Sequence, residues 1–129
     1  MRRAGVVVLL LFASLALVTG CASTVRLGGP DHSCAPGFFP ENELGSISAQ
    51  QFGPGYGIQW GVYPKQVAAT YVVDVYMNNR RVDHKQQSYP PHGSVNARDV
   101  VSGGVFRLEG SATNGAGDVA YFFLTCKAA

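Results

Sequence analysis

The sequence predicts an all-β domain of two packed sheets stapled by one disulfide, and three features predict it. Apolar residues alternate at period two, as in Val73, Val75 and Met77 against Asp74, Tyr76 and Asn78. Glycine is abundant, 16 of 129 residues, and gathers with Pro and Asn between the alternating stretches. Two cysteines, Cys34 and Cys126, stand near the two ends of that region. Alternation sends successive side chains to opposite faces, so one face of each strand is buried and the other wetted. A small closed β-barrel is the alternative arrangement, since strand order does not follow from the pattern.

Residues 23–27 read as a first, short strand inside a segment, 22–40, whose Gly28-Gly29-Pro30, Pro36-Gly37 and Pro40 punctuate any regular element. Residues 41–51 are the one place where a helical turn fits, weakly. Next, Tyr56, Ile58, Trp60 and Val62 fall on one face, with Gly57, Gln59 and Gly61 on the other. A long strand over residues 67–78 follows, with one apolar face and one mixed face. Asn78-Asn79 interrupts it; Asn tolerates positive φ, so the pair predicts a hairpin turn. The chain returns as Arg80–Gln87 (RRVDHKQQ), a strand polar enough to belong at a sheet edge, where Lys and Arg discourage pairing with other chains.

Tyr89-Pro90-Pro91-His92-Gly93 predicts a loop, because two prolines remove two donors and hold φ extended. Residues 94–101 predict another strand, ended by Ser102-Gly103-Gly104. The last hairpin joins a strand running from Val105 towards Thr113 to the apolar run Val119–Lys127 through Asn114-Gly115-Ala116-Gly117. Ala120, Phe122, Leu124 and Cys126 share one face, so Cys126 points with the core set. About seven strands result. The stretch VDVYMNNRRVDH, residues 73–84, resembles the central hairpin of an immunoglobulin-type or fibronectin-like sandwich, which implies an immunoglobulin-like fold.

The first twenty residues stand apart. Arg2 and Arg3 precede an uncharged apolar run over residues 4–18, short for a membrane span of roughly 20 apolar residues and suited to a signal segment. The run ends Val18-Thr19-Gly20-Cys21. This resembles the lipobox of bacterial lipoprotein precursors, an aliphatic residue and two small ones before the cysteine that becomes the mature N-terminus. The resemblance implies cleavage before Cys21 and diacylglycerol and N-acyl chains on that cysteine; no cofactor is expected. Ala22 in place of an aspartate implies the outer membrane, with the domain facing the periplasm or the cell surface. The expected organisation is a signal peptide over 1–20, a lipid-anchored tether over 21–40 and the β domain over 41–129.

With Cys21 used for lipid, Cys34 and Cys126 remain as an even pair bound for an oxidising compartment, and they are expected to bridge. Charge also changes on cleavage. The chain has ten Lys+Arg and eight Asp+Glu; loss of Arg2 and Arg3 leaves eight of each. Basic residues are scattered, with only Arg80-Arg81 adjacent after cleavage, so nucleic acid is not an expected partner.

Motifs of catalysis are missing. No G-x-S-x-G elbow occurs, and a free cysteine nucleophile conflicts with the bridge. Asp31, His32, Asp83, His84 and His92 offer metal donors, but none stands at H-E-x-x-H spacing, and adjacent residues on a strand point apart. Neither an enzyme nor a metal site is expected. The Gly53-Pro54-Gly55-Tyr56-Gly57 run precedes a strand, where phosphate cradling needs a helix N-terminus, and is read as a turn.

The expected function is non-catalytic binding of an envelope or extracellular protein. Its surface would be the polar edge strand with Arg80, Arg81 and His84, whose unpaired backbone groups offer binding by strand addition, and the stiff loop with Tyr89, Pro90, Pro91 and His92. Tyr offers contact area at low entropic cost, and prolines remove flexibility before binding. The competing reading of the loop has Tyr89 packed beneath a strand crossover. The alternative function is inhibition of a hydrolase such as lysozyme. Ser102-Gly103-Gly104-Val105-Phe106 resembles the glycine-containing loop of lipid-anchored lysozyme inhibitors, without the Trp and Lys-Gly that follow there.

Overall fold

The computed structural model describes residues 22–36, 41–42, 45–65 and 68–129. Among them nine strands form two sheets. They are β1 (Ala22–Ser33), β2 (Glu41–Asn42), β3 (Gly45–Gln51), β4 (Ile58–Pro64), β5 (Thr70–Met77), β6 (Arg80–Gln87), β7 (His92–Val95), β8 (Val105–Thr113) and β9 (Val119–Lys127). One sheet has the order β1-β9-β8-β5-β6 and the other β2-β3-β4-β7. Both sheets are open-edged, so the chain is a sandwich rather than a closed barrel.

The core is one cluster fed by both sheets. Ile47, Ala49, Ile58, Trp60, Val62 and Val95 come from the four-stranded sheet; Val73, Val75, Met77, Phe106, Leu108, Phe122, Leu124 and Cys126 come from the five-stranded one. Burial in β5 alternates strictly, with Tyr71, Val73, Val75 and Met77 inside. Asn78 and Asn79 have φ of 50° and 67°, both in the left-handed region that a two-residue hairpin turn requires. β6 lies at the sheet edge, as its polarity predicts. Taking β4 to β9 as B, C, C′, E, F and G, the pairing of β4 with β7 and the order β9-β8-β5-β6 correspond to the immunoglobulin arrangement.

The disulfide joins Cys34 to Cys126 with a Cα–Cα distance of 5.1 Å. It does not link B to F, as in antibody domains. Cys34 instead follows β1 at the junction of the two sheets. Its N–H donates to the Lys127 carbonyl at 3.0 Å in one sheet, and its carbonyl accepts from Gln51 N at 2.7 Å in the other.

Several elements differ from expectation. Residues 41–42 and 45–51 form strands β2 and β3, not a helical turn, because Ile47 and Ala49 alternate into the core. The strand expected over 23–27 extends to Ser33 and runs parallel to β9, with Ala22 beside Val119 and Gly28 beside Thr125. Most of the segment read as tether is thus sheet. The strand expected over 94–101 begins earlier and ends sooner: β7 covers His92–Val95, taking the last two residues of the loop expected over 89–93, and Asn96 caps a 3₁₀ turn, Ala97–Asp99, by accepting from Arg98 N at 3.2 Å. Tyr56 is exposed and precedes β4 instead of joining its buried face. Val67 and the lipobox residues Val18, Thr19, Gly20 and Cys21 lie outside the described residues.

Candidate functional site

β6 approaches its surface role through its register with β5. Arg81, His84 and Gln86 stand opposite Tyr76, Asp74 and Val72 on the outer face; Asp83, Lys85 and Gln87 stand opposite the core positions Val75, Val73 and Tyr71. The register shifts between Val75 and Tyr76, which leaves Val82 as an extra, half-buried residue packed on the core. A bulge, basic residues and a Lys on the inward side are devices that blunt an edge against strand addition.

The outer face gathers around Asp74. His84 Nδ1 shares a hydrogen bond of 2.7 Å with Asp74 Oδ1, and Arg81 Nη1 donates to the same oxygen at 3.4 Å. Arg80 reaches the other way, to Asp99 Oδ1 at 3.4 Å. Exposed ion pairs of this kind contribute about 0–1 kcal/mol each, so they orient the side chains more than they stabilise the fold. Further in on the same face, Arg107 stacks on Tyr76 at 4.2 Å and Arg26 on Phe123 at 4.7 Å. The His84–Asp74 pair lies on this outer face, with His84 nearly half exposed and Asp74 more than a quarter exposed.

Residues 88–91 carry the chain from β6 to β7, from one sheet to the other. Tyr89 is 62% exposed, so it does not pack beneath the crossing. Its carbonyl accepts from Gln87 Nε2 at 3.0 Å. Pro91, by contrast, is fully buried, and its carbonyl accepts from Val62 N at 3.0 Å. The exposed Tyr is therefore held between a half-buried Pro90, a buried Pro91 and two hydrogen bonds. His92 opens β7 opposite Gly61 and is exposed on the four-stranded sheet.

The structure divides the residues named from sequence into two groups. Arg80, Arg81 and His84 belong to the turn end and middle of β6. Tyr89, Pro90, Pro91 and His92 belong to its other end, since an eight-residue strand spans about 23 Å at ~3.3 Å per residue. The second group shares an end with the start of β1: the row Ala22, Val119, Thr113 and Thr70 runs straight across the sheet to the end of β6. Asp74, which ties Arg81 to His84, was missed in the sequence, although its place on the mixed face of a core strand opposite the polar strand marks it. Gln51 was missed entirely, and no local pattern reveals it. It is 3% exposed, donates from Nε2 to the Tyr56 carbonyl at 3.1 Å and accepts from Ala129 N at 2.7 Å.

Asp83 and His84 fall on opposite faces, and among the described residues no three His, Cys, Asp or Glu side chains gather as metal ligands do. Nor, among those residues, is any helix long and apolar enough to cross a membrane. No family model matches the chain, and no curated protein and no solved structure matches it.

Proposed function

We propose that the chain is an exported, lipid-anchored, non-catalytic binding module of the cell envelope, held to the outer membrane through Cys21, and that its partner is a protein met at the Tyr89 corner. The observation that carries the reading is the presentation of Tyr89, a large exposed side chain on a backbone fixed at both sides. A rigid aromatic side chain loses little entropy on docking and is a common anchor of protein interfaces.

The position of β1 supports a partner in the same membrane. The strand begins at Ala22, immediately after the cysteine of the lipobox, so the anchor has almost no spacer. Tyr89 lies at the same end of the five-stranded sheet, about four strand spacings of ~4.8 Å to the side. A lipid on Cys21 thus sets the Tyr89 corner close to the bilayer, where it meets proteins of the same membrane. Binding through side chains, rather than by strand addition to β6, agrees with the blunted edge.

Two measurements test this. Mass spectrometry of membrane-extracted protein should find Cys21 acylated at the N-terminus, and a soluble, unmodified product refutes the anchor. The double variant Tyr89→Ala, His92→Ala should fold with stability within about 0.5 kcal/mol of the parent, because both side chains are exposed. It should still lose cross-linking to its membrane partner. Undiminished cross-linking rules out this corner as the binding surface.

A further inference from the structure

The outer faces of the two sheets differ in chemistry. The five-stranded sheet turns Arg26, Asp74, Arg81, His84, Arg107 and Glu109 outward. The outward positions of β3, β4 and β7 are Ser46, Ser48 and Gln50, then Gln59, Gly61 and Tyr63, then His92 and Ser94. None of these is Asp, Glu, Lys or Arg; the acidic residue in register with them is Glu41 of the edge strand β2, opposite Ser46. Hydroxyls and amides make up most of this face, and each both donates and accepts hydrogen bonds.

Aromatic side chains accompany them. Tyr63 is 53% exposed, and its ring folds back over Gly61: a Cβ on Gly61 would stand 2.8 Å from Tyr63 Oη and 3.0 Å from Cζ. A side chain at position 61 would displace the hydroxyl end of the ring, which therefore rests over Gly61 while more than half of Tyr63 stays open to solvent. Gly61 and its register partner Ser48 are both buried there. At the far end of the same face, Phe52 and Tyr56 are 58% and 59% exposed. They line, with Gln59, Ser94 and Asn96, an open depression of about 250 Å³. That end lies beside Cys34 and Ala129, where β1 and β9 finish, and so away from Ala22.

From this juxtaposition we infer that the outer face of β3, β4 and β7 binds an uncharged polysaccharide strand, with Tyr63 and the Phe52–Tyr56 depression as platforms and Gln50, Gln59 and Ser94 as hydrogen-bonding partners. A sugar ring presents a face of C–H groups, which packs on the electron-rich face of an aromatic ring. Its hydroxyls match side chains that donate and accept at once, and it offers no charge to pair. A nucleic acid or an acidic polymer demands cations, which these positions lack. The face is about 20 Å long at ~3.4 Å per residue over β3, enough for a short oligosaccharide rather than a single sugar. Its direction away from the lipid suits a glycan of the envelope beyond the bilayer. Only that source rests on the anchor proposed above; the binding itself does not.

The test uses the full chain extracted in detergent, and as probes a neutral N-acetylglucosamine oligomer and insoluble chitin, the uncharged polymer of the same sugar. Saturable binding of both is expected, little changed between about 50 mM and about 500 mM salt, because no charged side chain takes part. Tyr63→Ala and Tyr56→Ala should each weaken it at least tenfold, whereas Tyr63→Phe, which keeps the ring, should bind within about twofold of the parent. Tyr121→Ala, on the other sheet, should leave it unchanged, as should Tyr89→Ala. Failure to bind either probe overturns the inference. So does equal loss from Tyr121→Ala, or binding abolished by salt, and cross-linking of a protein at Tyr63 without glycan binding identifies a protein interface instead.

Discussion

Gln51 shows how one residue closes a junction that no pattern reveals. Its side chain holds the Tyr56 carbonyl on one side and the Ala129 N–H on the other, while its own N–H reaches Cys34. Loop, C-terminus and disulfide therefore meet on a single buried amide. Gln51→Ala removes both side-chain bonds and leaves the partners to find water or nothing. A loss of about 1–3 kcal/mol is expected, read from the midpoint of urea unfolding at unchanged slope. An unchanged midpoint would show that water replaces the amide fully. Tyr89 is the opposite case: its type and neighbours named it in the sequence, but only the fold decided whether it points out or in.

Among the elements, the β5–β6 hairpin is the one most completely specified by its residues. Asn78 and Asn79 both adopt positive φ, and Asn79 Oδ1 also accepts from Arg107 Nη1 at 2.9 Å, tying the turn to β8. Asn79→Ala should destabilise the domain by about 1–2 kcal/mol, since alanine in the left-handed region carries a steric penalty and the bond to Arg107 is lost. Asn79→Gly isolates the second contribution, because glycine removes the penalty and not the bond. Thermal unfolding of the two variants side by side measures both. β7 behaves differently. Trp60 occupies the space over Gly93, where a Cβ would stand 2.8 Å from Cζ2, and the Lys85 stem approaches the same side. That short strand exists because a large ring of β4 needs a flat neighbour, a demand visible only once β4 and β7 pair.

At the scale of the whole molecule, the Cys34–Cys126 bridge closes a loop of 92 residues, nearly the entire sandwich. In the chain-entropy model such a closure stabilises by about 4–5 kcal/mol, against a total of about 5–15 kcal/mol for a domain of this size. Reduction should therefore lower the urea midpoint sharply. Non-reducing peptide mapping should recover both cysteines in one fragment, and quantitative alkylation of the native, unreduced protein would contradict the bridge. Because Cys34 also bonds to both sheets, reduction should first release β1 from β9. Hydrogen exchange should then rise in β1 before it rises in β5, which is paired on both sides.

Local chemistry by itself determined the cysteine pair, the alternating strands β5, β8 and β9, the Asn-Asn turn and the edge position of β6. Each rests on residues within a few positions of one another, where side-chain period and turn preference act without help from the rest of the chain. What only the tertiary structure decided has long sequence separations. β1 is a strand because β9, nearly a hundred residues later, offers it a free edge, and its own Gly28-Gly29-Pro30 argues locally for a loop. Residues 45–51 became β3 because pairing with β4 buries Ile47 and Ala49, which outweighs a weak helical preference, and residues 41–42 add β2 to its other edge. The neutral outer face is likewise assembled from Ser46, Gln59, Tyr63 and Ser94, residues that acquire a common surface only through cross-strand register.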